Sequence, residues 1–141
     1  MISNILVPLD GSQQAEQALE YAIEEFPDAE LTLLHVLDIG DAGVSIGIAV
    51  DLHDRVREAS RERASAIFED AREVAASAGY EGELDTIVEE GRPSRAIVRH
   101  AADFDQIVMG SHGREGPAQI LLGSVTETVV RRSPVPVVVV R

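Results

Sequence analysis

The chain has 141 residues, 25 acidic side chains, 12 basic ones and a formal net charge of -13. It has no cysteine, no tryptophan and no lysine, since every basic residue is an arginine. Those absences exclude a thiol nucleophile, an iron–sulfur cluster, cysteine-ligated zinc, a lysine Schiff base and the phosphate loop that ends in Gly-Lys-Ser/Thr.

A chain of this length is expected to form one domain over 1–141 and to bury roughly two-thirds of its unfolded surface. Its acidity argues against a nucleic-acid partner and against an anionic membrane surface, both of which demand cations. Acidity together with the lack of lysine predicts adaptation to a salt-rich cytoplasm. Met1–Asp10 carries no basic leader and no small-residue cleavage site, and no apolar run approaches the roughly 18 to 20 residues of a membrane span. A cytoplasmic location is therefore expected.

Ile5-Leu6-Val7-Pro8-Leu9 reads as a buried strand, broken by Asp10-Gly11-Ser12. Ala15, Ala18, Leu19, Ala22, Ile23 and Phe26 recur at helical spacing, and Pro27 stops that helix. Leu31–Val36 is a second apolar strand. Asp38–Asp51, with Gly40, Gly43 and Gly47, reads as a variable loop or mobile flap. Leu52–Ala78 predicts a long helix with a buried stripe of Val56, Ala59, Ile67, Phe68, Ala71, Val74, Ala75 and Ala78. Gly79 ends it. A weaker strand runs near Leu84–Val88. Pro93 opens a third helix that ends near Phe104. Gln106–Met109 is the fourth strand, and Gly110–Gly116 a glycine-rich loop. The last helix runs from after Gly123 to near Arg132, and Val135–Val140 is the fifth strand.

Continuous apolar strands alternating with helices imply a parallel sheet covered on both faces, a doubly wound α/β sandwich. In such sheets ligands sit beyond the carboxyl ends of the strands. The informative residues are therefore Asp10-Gly11-Ser12, His35-Val36-Leu37 and Gly110–Gly116, with Gly123-Ser124 opening the last helix.

The last two segments can form an anion cradle. Glycines admit close backbone approach, and a helix start offers free N–H groups and a positive dipole end. Each piece also has a plainer reading. Ser124-Val125-Thr126-Glu127 fits a capping box, Gly110 and Gly113 fit turns, and Asp10 fits a helix N-cap. His35 is expected to be buried and hydrogen-bonded, and His112 to form a polar wall. Asp51, His53 and Asp54 cluster without further ligands, so no protein-built metal site is expected.

The spacing unites the pieces: Gly110, two residues, Gly113, nine residues, then Gly123-Ser124. With the opening Ile5–Asp10, the Leu34-His35-Val36 strand end, the Ile107–Arg114 segment and the Pro134–Val140 tail, the chain resembles the universal stress protein family. The resemblance is to the family's nucleotide-binding branch and spans the whole sequence. It implies a five-stranded parallel sheet in the order 3-2-1-4-5. It also implies ATP, or ADP or AMP, lying across the strand ends with Mg²⁺ or Mn²⁺ on its phosphates. Asp10 would contact the adenosine or metal-phosphate region, with Pro8 nearby. Val36 would meet adenine. Met109 and Gly110 would line the ribose side. Gly113, Arg114, Gly123, Ser124 and Val125 would surround the phosphates.

In that order the Val-rich last strand lies at an edge, and pairing with its copy would cover it. A homodimer is the expectation, and the resemblance implies one too. The leading functional expectation is a nucleotide-responsive regulatory module with an unidentified protein partner. The alternatives are a slow ATPase using His112 and Arg114, or a nucleotide-free dimeric adaptor. No pattern singles out a catalytic base, so efficient hydrolysis is not expected. A receiver domain would need a lysine, and no dinucleotide fingerprint is present.

Overall fold

A computed structural model describes residues 1–37, 50–112 and 122–141, without the side chains of 50–53. Among the described residues nine elements follow in order: β1 (Asn4–Pro8), α1 (Gln13–Glu25), β2 (Glu30–Leu37), α2 (Val50–Ser77), β3 (Leu84–Glu90), α3 (Pro93–Ala101), β4 (Gln106–Gly110), α4 (Ser124–Arg132) and β5 (Val137–Val140). The five strands form one parallel sheet in the order β3-β2-β1-β4-β5.

Strand order explains the burial. Ile5, Leu6 and Val7 of central β1 are 0% exposed, because helices cover both faces and strands flank both sides. Ile5 and Val7 face α1 and α2, with Leu31, Leu33, Ile67 and Phe68. Leu6 faces α3 and α4, with Leu34, Ile97, Ile107, Met109 and Val129. Each fully buried aliphatic chain here is worth about 1.5–3 kcal/mol. β3 and β5 each pair on one side only and are markedly less buried.

Several expected boundaries move. β2 runs from Glu30 to Leu37 and β3 extends to Glu90, since parallel pairing with β2 continues through Leu37↔Glu90. α3 stops at Ala101, short of Phe104. Asp103 and Phe104 instead close tight turns, their N–H groups donating to the carbonyls of His100 and Ala101. β5 begins at Val137, because Val135 is held in a turn by the Ser133 hydroxyl. α2 starts at Val50, and the stretch expected to loop over 38–51 lies outside the described residues up to residue 49. Along α2 the buried positions are Ala64, Ile67, Phe68, Ala71 and Ala75, whereas Ala59 and Ala78 are exposed. Ala64 was missed because a lone alanine between arginine, serine and glutamate carries little pattern.

The opposite end of the sheet is closed by Asp105. Its carboxylate accepts from the N–H groups of Ser3 (2.8 Å) and Asn4 (2.9 Å) and from the Ser3 hydroxyl (3.0 Å). Those bonds, Ser3 first, hold its pKa below the ordinary carboxylate value.

Candidate functional site

A cavity of about 340 Å³ opens beyond the carboxyl ends of β1, β2 and β4. Parallel topology brings the N-termini of α1, α3 and α4 to that same edge. Its walls are largely apolar, from Leu34, Val36, Ile97, Met109 and Val125. Polar groups come from Asp10, Ser12, His112, Ser124 and Thr126.

The turn after β1 is set by three residues. The Ser12 N–H donates to Asp10 Oδ1 at 2.9 Å, and Gly11 takes φ +85°, a conformation glycine adopts without strain. Ser12 is then the N-cap of α1, its hydroxyl accepting from the Ala15 N–H at 3.2 Å. The expected Asp10 cap is therefore corrected: Asp10 shapes the turn and Ser12 caps the helix. Arg63 of α2 reaches the Asp10 carbonyl over a long 3.4 Å contact.

The ends of the glycine-rich loop are stitched together. The Gly123 N–H donates to the Ser111 carbonyl at 2.8 Å, and the buried Thr126 hydroxyl donates to the Gly110 carbonyl at 2.9 Å. Ser111 also donates its N–H to Val140 at 2.9 Å, which fixes the end of β4 against β5. The Ser111 hydroxyl lies 3.0 Å from His112 Nδ1, with both side chains buried.

The two described glycines of the motif have packing reasons for lacking a side chain. A Cβ on Gly110 would lie 2.9 Å from the carbonyl carbon of Gln14, so α1 packs against bare backbone there. A Cβ on Gly123 would lie 3.1 Å from His112 Cα. Glycine at both positions therefore permits segments to touch, as well as leaving room at the cavity.

The capping-box reading of Ser124 is also corrected. Gly123 is the N-cap and Ser124 the first helical residue, so the serine hydroxyl caps nothing. Glu127 instead pairs with Arg131 at 2.7 Å. The first bond of α4 runs from the Glu127 N–H to the Gly123 carbonyl at 2.9 Å. The N–H groups of Ser124, Val125 and Thr126 thus have no acceptor within the helix. Among the described residues those N–H groups have no acceptor, so the start of α4 presents them with a positive dipole end and an exposed hydroxyl.

Of the expected site residues, Pro8, Asp10, Val36, Met109, Gly110, Gly123, Ser124 and Val125 all line this cavity. Gly113 and Arg114 lie outside the described residues. Sequence reasoning missed Pro93 and Ile97, which form the α3 wall, and the roles of Ser12 and Thr126. The signal was present for Pro93 and Ile97: they sit one turn apart at the start of a helix that follows a strand end. His35 is buried. Its Nδ1 donates to the Leu9 carbonyl at 2.7 Å and its ring meets Phe68 edge-on.

Among the described residues no cluster of three or more metal-ligating side chains occurs. Among the described residues, Asp10 is the one carboxylate lining the cavity. That donor set suits a Mg²⁺ carried largely by phosphate oxygens and water, and falls short of a protein-built cage. No described helix is long and apolar enough to cross a membrane.

The universal stress protein family profile matches residues 1–141. Universal stress protein YxiE of Bacillus subtilis is 33% identical over 150 residues, covering 100% of both chains. Universal stress protein MJ0577 of Methanocaldococcus jannaschii is 33% identical over 100% of this chain and 96% of its own. Its solved structure aligns at a TM-score of 0.80 over 99% of this chain and 96% of that one. A universal stress protein solved in complex with cAMP aligns at a TM-score of 0.71 and 25% identity, covering 99% of this chain and 97% of that one. The five-stranded parallel sheet, the strand order and full-length matches on sequence and structure agree: the chain belongs to the universal stress protein family.

Proposed function

We propose that this protein binds ATP, with ADP or AMP as competing ligands, and acts as a cytoplasmic, homodimeric, nucleotide-responsive regulatory module. The observation that carries the reading is the start of α4. Three helical N–H groups and the Ser124 hydroxyl stand at the rim of an apolar cavity, in a chain with no lysine to meet phosphates. The base would lie in the apolar part, against Val36 and Pro8, with the ribose beside Met109 and Gly110. The phosphates would reach the Gly123-Ser124-Val125 amides, joined by Gly113 and Arg114. A Mg²⁺ or Mn²⁺ ion would travel on the phosphates, with Asp10 as a carboxylate at the cavity, and supply charge neutralisation. The cAMP complex of a relative supports the adenine-nucleotide class. The dimer would form by pairing of β5 with its copy, and the acidity would suit a salt-rich cytoplasm.

Calorimetric titration with ATP, ADP and AMP, with Mg²⁺ in molar KCl, tests this reading. Saturable binding of one ATP per chain is expected. Ser124→Glu is the sharper variant. A carboxylate in the first turn favours the helix but repels the phosphates, and ATP should bind about a hundredfold more weakly. Gly123→Val should also abolish binding, but it presses on His112 as well and so tests loop closure at the same time. Unchanged ATP binding by folded Ser124→Glu would remove the phosphates from α4.

A further inference from the structure

We infer that the outer face of α3 docks an acidic segment of a partner protein. α3 contains no aspartate or glutamate, in a chain that has 25 of them. By contrast, α1 carries Glu16, Glu20, Glu24 and Glu25 and no base. Arg92, Arg95 and Arg99 are exposed and recur at the spacing of one helical stripe, extending about 10 Å along the axis. On the opposite side of the same helix, Ala96, Ile97 and Ala101 are buried. Among the described residues Arg99 meets Glu89 at 3.0 Å, whereas Arg92 and Arg95 form no ion pair. α4, which packs against α3, carries Arg131 and Arg132 in its last turn, Arg131 being paired with Glu127 at 2.7 Å.

The placement runs against local preference. Arg92 occupies the N-cap without a capping bond and Arg95 lies in the first turn, where the helix dipole disfavours cations. Arg99 sits in the favourable last turn, but the other two arginines oppose the dipole, and a cationic stripe so placed on a strongly acidic molecule is the complement of an acidic peptide. Nucleic acid fits less well, because the stripe is short and the rest of the surface would repel a polyanion. The surface names the chemistry of the partner in the regulatory reading above, and rests on that reading only for its link to the nucleotide. That link is physical: Pro93 and Ile97 of the same helix wall the cavity.

The test is fluorescence anisotropy at low salt with a labelled glutamate-rich peptide, and with single-stranded DNA as competitor. Wild-type protein should bind the peptide saturably. Combined Arg92→Gln, Arg95→Gln and Arg99→Gln should weaken it about tenfold, the joint worth of three exposed charge pairs. Lysine at the same three positions should retain binding. Arg55→Gln, Arg61→Gln and Arg72→Gln on α2 remove equal charge and should leave binding unchanged. No peptide binding by wild type, equal loss in the α2 variant, loss with lysine in a folded protein, or preference for DNA would each overturn the proposal. So would wild-type self-association that the α3 variant abolishes, since the occupant would then be a second copy. ATP titration of the α3 variant should match wild type. Joint loss of ATP and peptide would assign the arginines to the cavity's ligand and overturn the docking surface. If ATP fails to bind wild type while the peptide still binds, the nucleotide reading alone fails.

Discussion

β3 and β5 both end the sheet, yet β3 carries Asp85, Glu89 and Glu90 whereas β5 is four valines. Two of these carboxylates, Glu89 and Glu90, tie that edge to its neighbours. Glu89 accepts from His100 at 2.8 Å and Arg99 at 3.0 Å on α3, and Glu90 meets Arg57 of α2 at 3.5 Å. These charges discourage a second strand from pairing there, while an uncharged valine edge invites one. Equivalent positions in one sheet therefore differ in what they can accept, and side chains rather than topology make the difference.

The largest expected effect concerns what holds the β3 side. Phe68 of α2 is buried, packs on the His35 ring and faces the groove beside β3. Phe68→Ala should cost about 3–5 kcal/mol in urea unfolding. Hydrogen exchange should quicken in β3 more than in β5; equal changes would mean the two edges share one support.

Next comes the β5 edge. The carbonyls of Pro136 and Val140 accept from Ile107 of β4 and from Ser111 just after it, so alternation turns the Val139 N–H outward. Val139→Pro would remove an outward donor without touching the β4 ladder. If the dimer forms through β5, two lost hydrogen bonds per dimer should raise its dissociation constant about 30-fold. Light scattering across a dilution series checks this, and an unshifted dimer would place the interface elsewhere.

The converse change is subtler. Asp85→Val combined with Glu89→Val gives β3 the character of β5, and concentration-dependent association beyond the wild-type species should appear in sedimentation velocity. If it does not, the exposed side of β3 is protected by shape rather than by charge.

The smallest effect is in pH. The His100 hydrogen bond, with Arg99 beside it, holds the Glu89 pKa below its ordinary value of 4.5. A depressed carboxylate contributes stability that is present above its unfolded pKa and is lost as pH falls through its folded one. Asp105 acts in the same direction. Glu16 opposes them, because burial and then the nearby Asp70 and Glu20 raise its pKa, so acid relieves a penalty there. Thermal unfolding should therefore weaken as pH drops below the ordinary carboxylate range. Glu89→Gln should flatten that slope by under about 0.5 kcal/mol, since the pair is solvent-screened. An unchanged slope would leave Glu89 without a measurable part in holding the edge.

What could be read in advance follows from how strongly burial marks a sequence. Ile5–Val7 and Ile107–Met109 lie in interior strands buried on both faces, so their apolar runs are continuous and legible. β3 alternates and carries charge because it is an edge, so its pattern was weak and its end at Glu90 was missed. The cavity residues after β1, β2 and β4 were legible because parallel strands followed by helices direct attention to one edge of the sheet. The α3 wall carried the same signal but was overlooked, because Pro93 and Ile97 read as an ordinary helix start.

By itself the sequence determined the class of fold, the interior strands, the helix faces and most of the residues that gather at the cavity. Periodicity and composition carry those, since each is a local consequence of which side chains avoid water. Tertiary structure alone decided which of Asp10 and Ser12 caps α1, that Thr126 ties α4 to β4, and why Gly110 and Gly123 bear no side chain. Those are contacts between segments far apart in the chain, or choices between residues two apart with similar capping propensity, and only the packed backbone settles either.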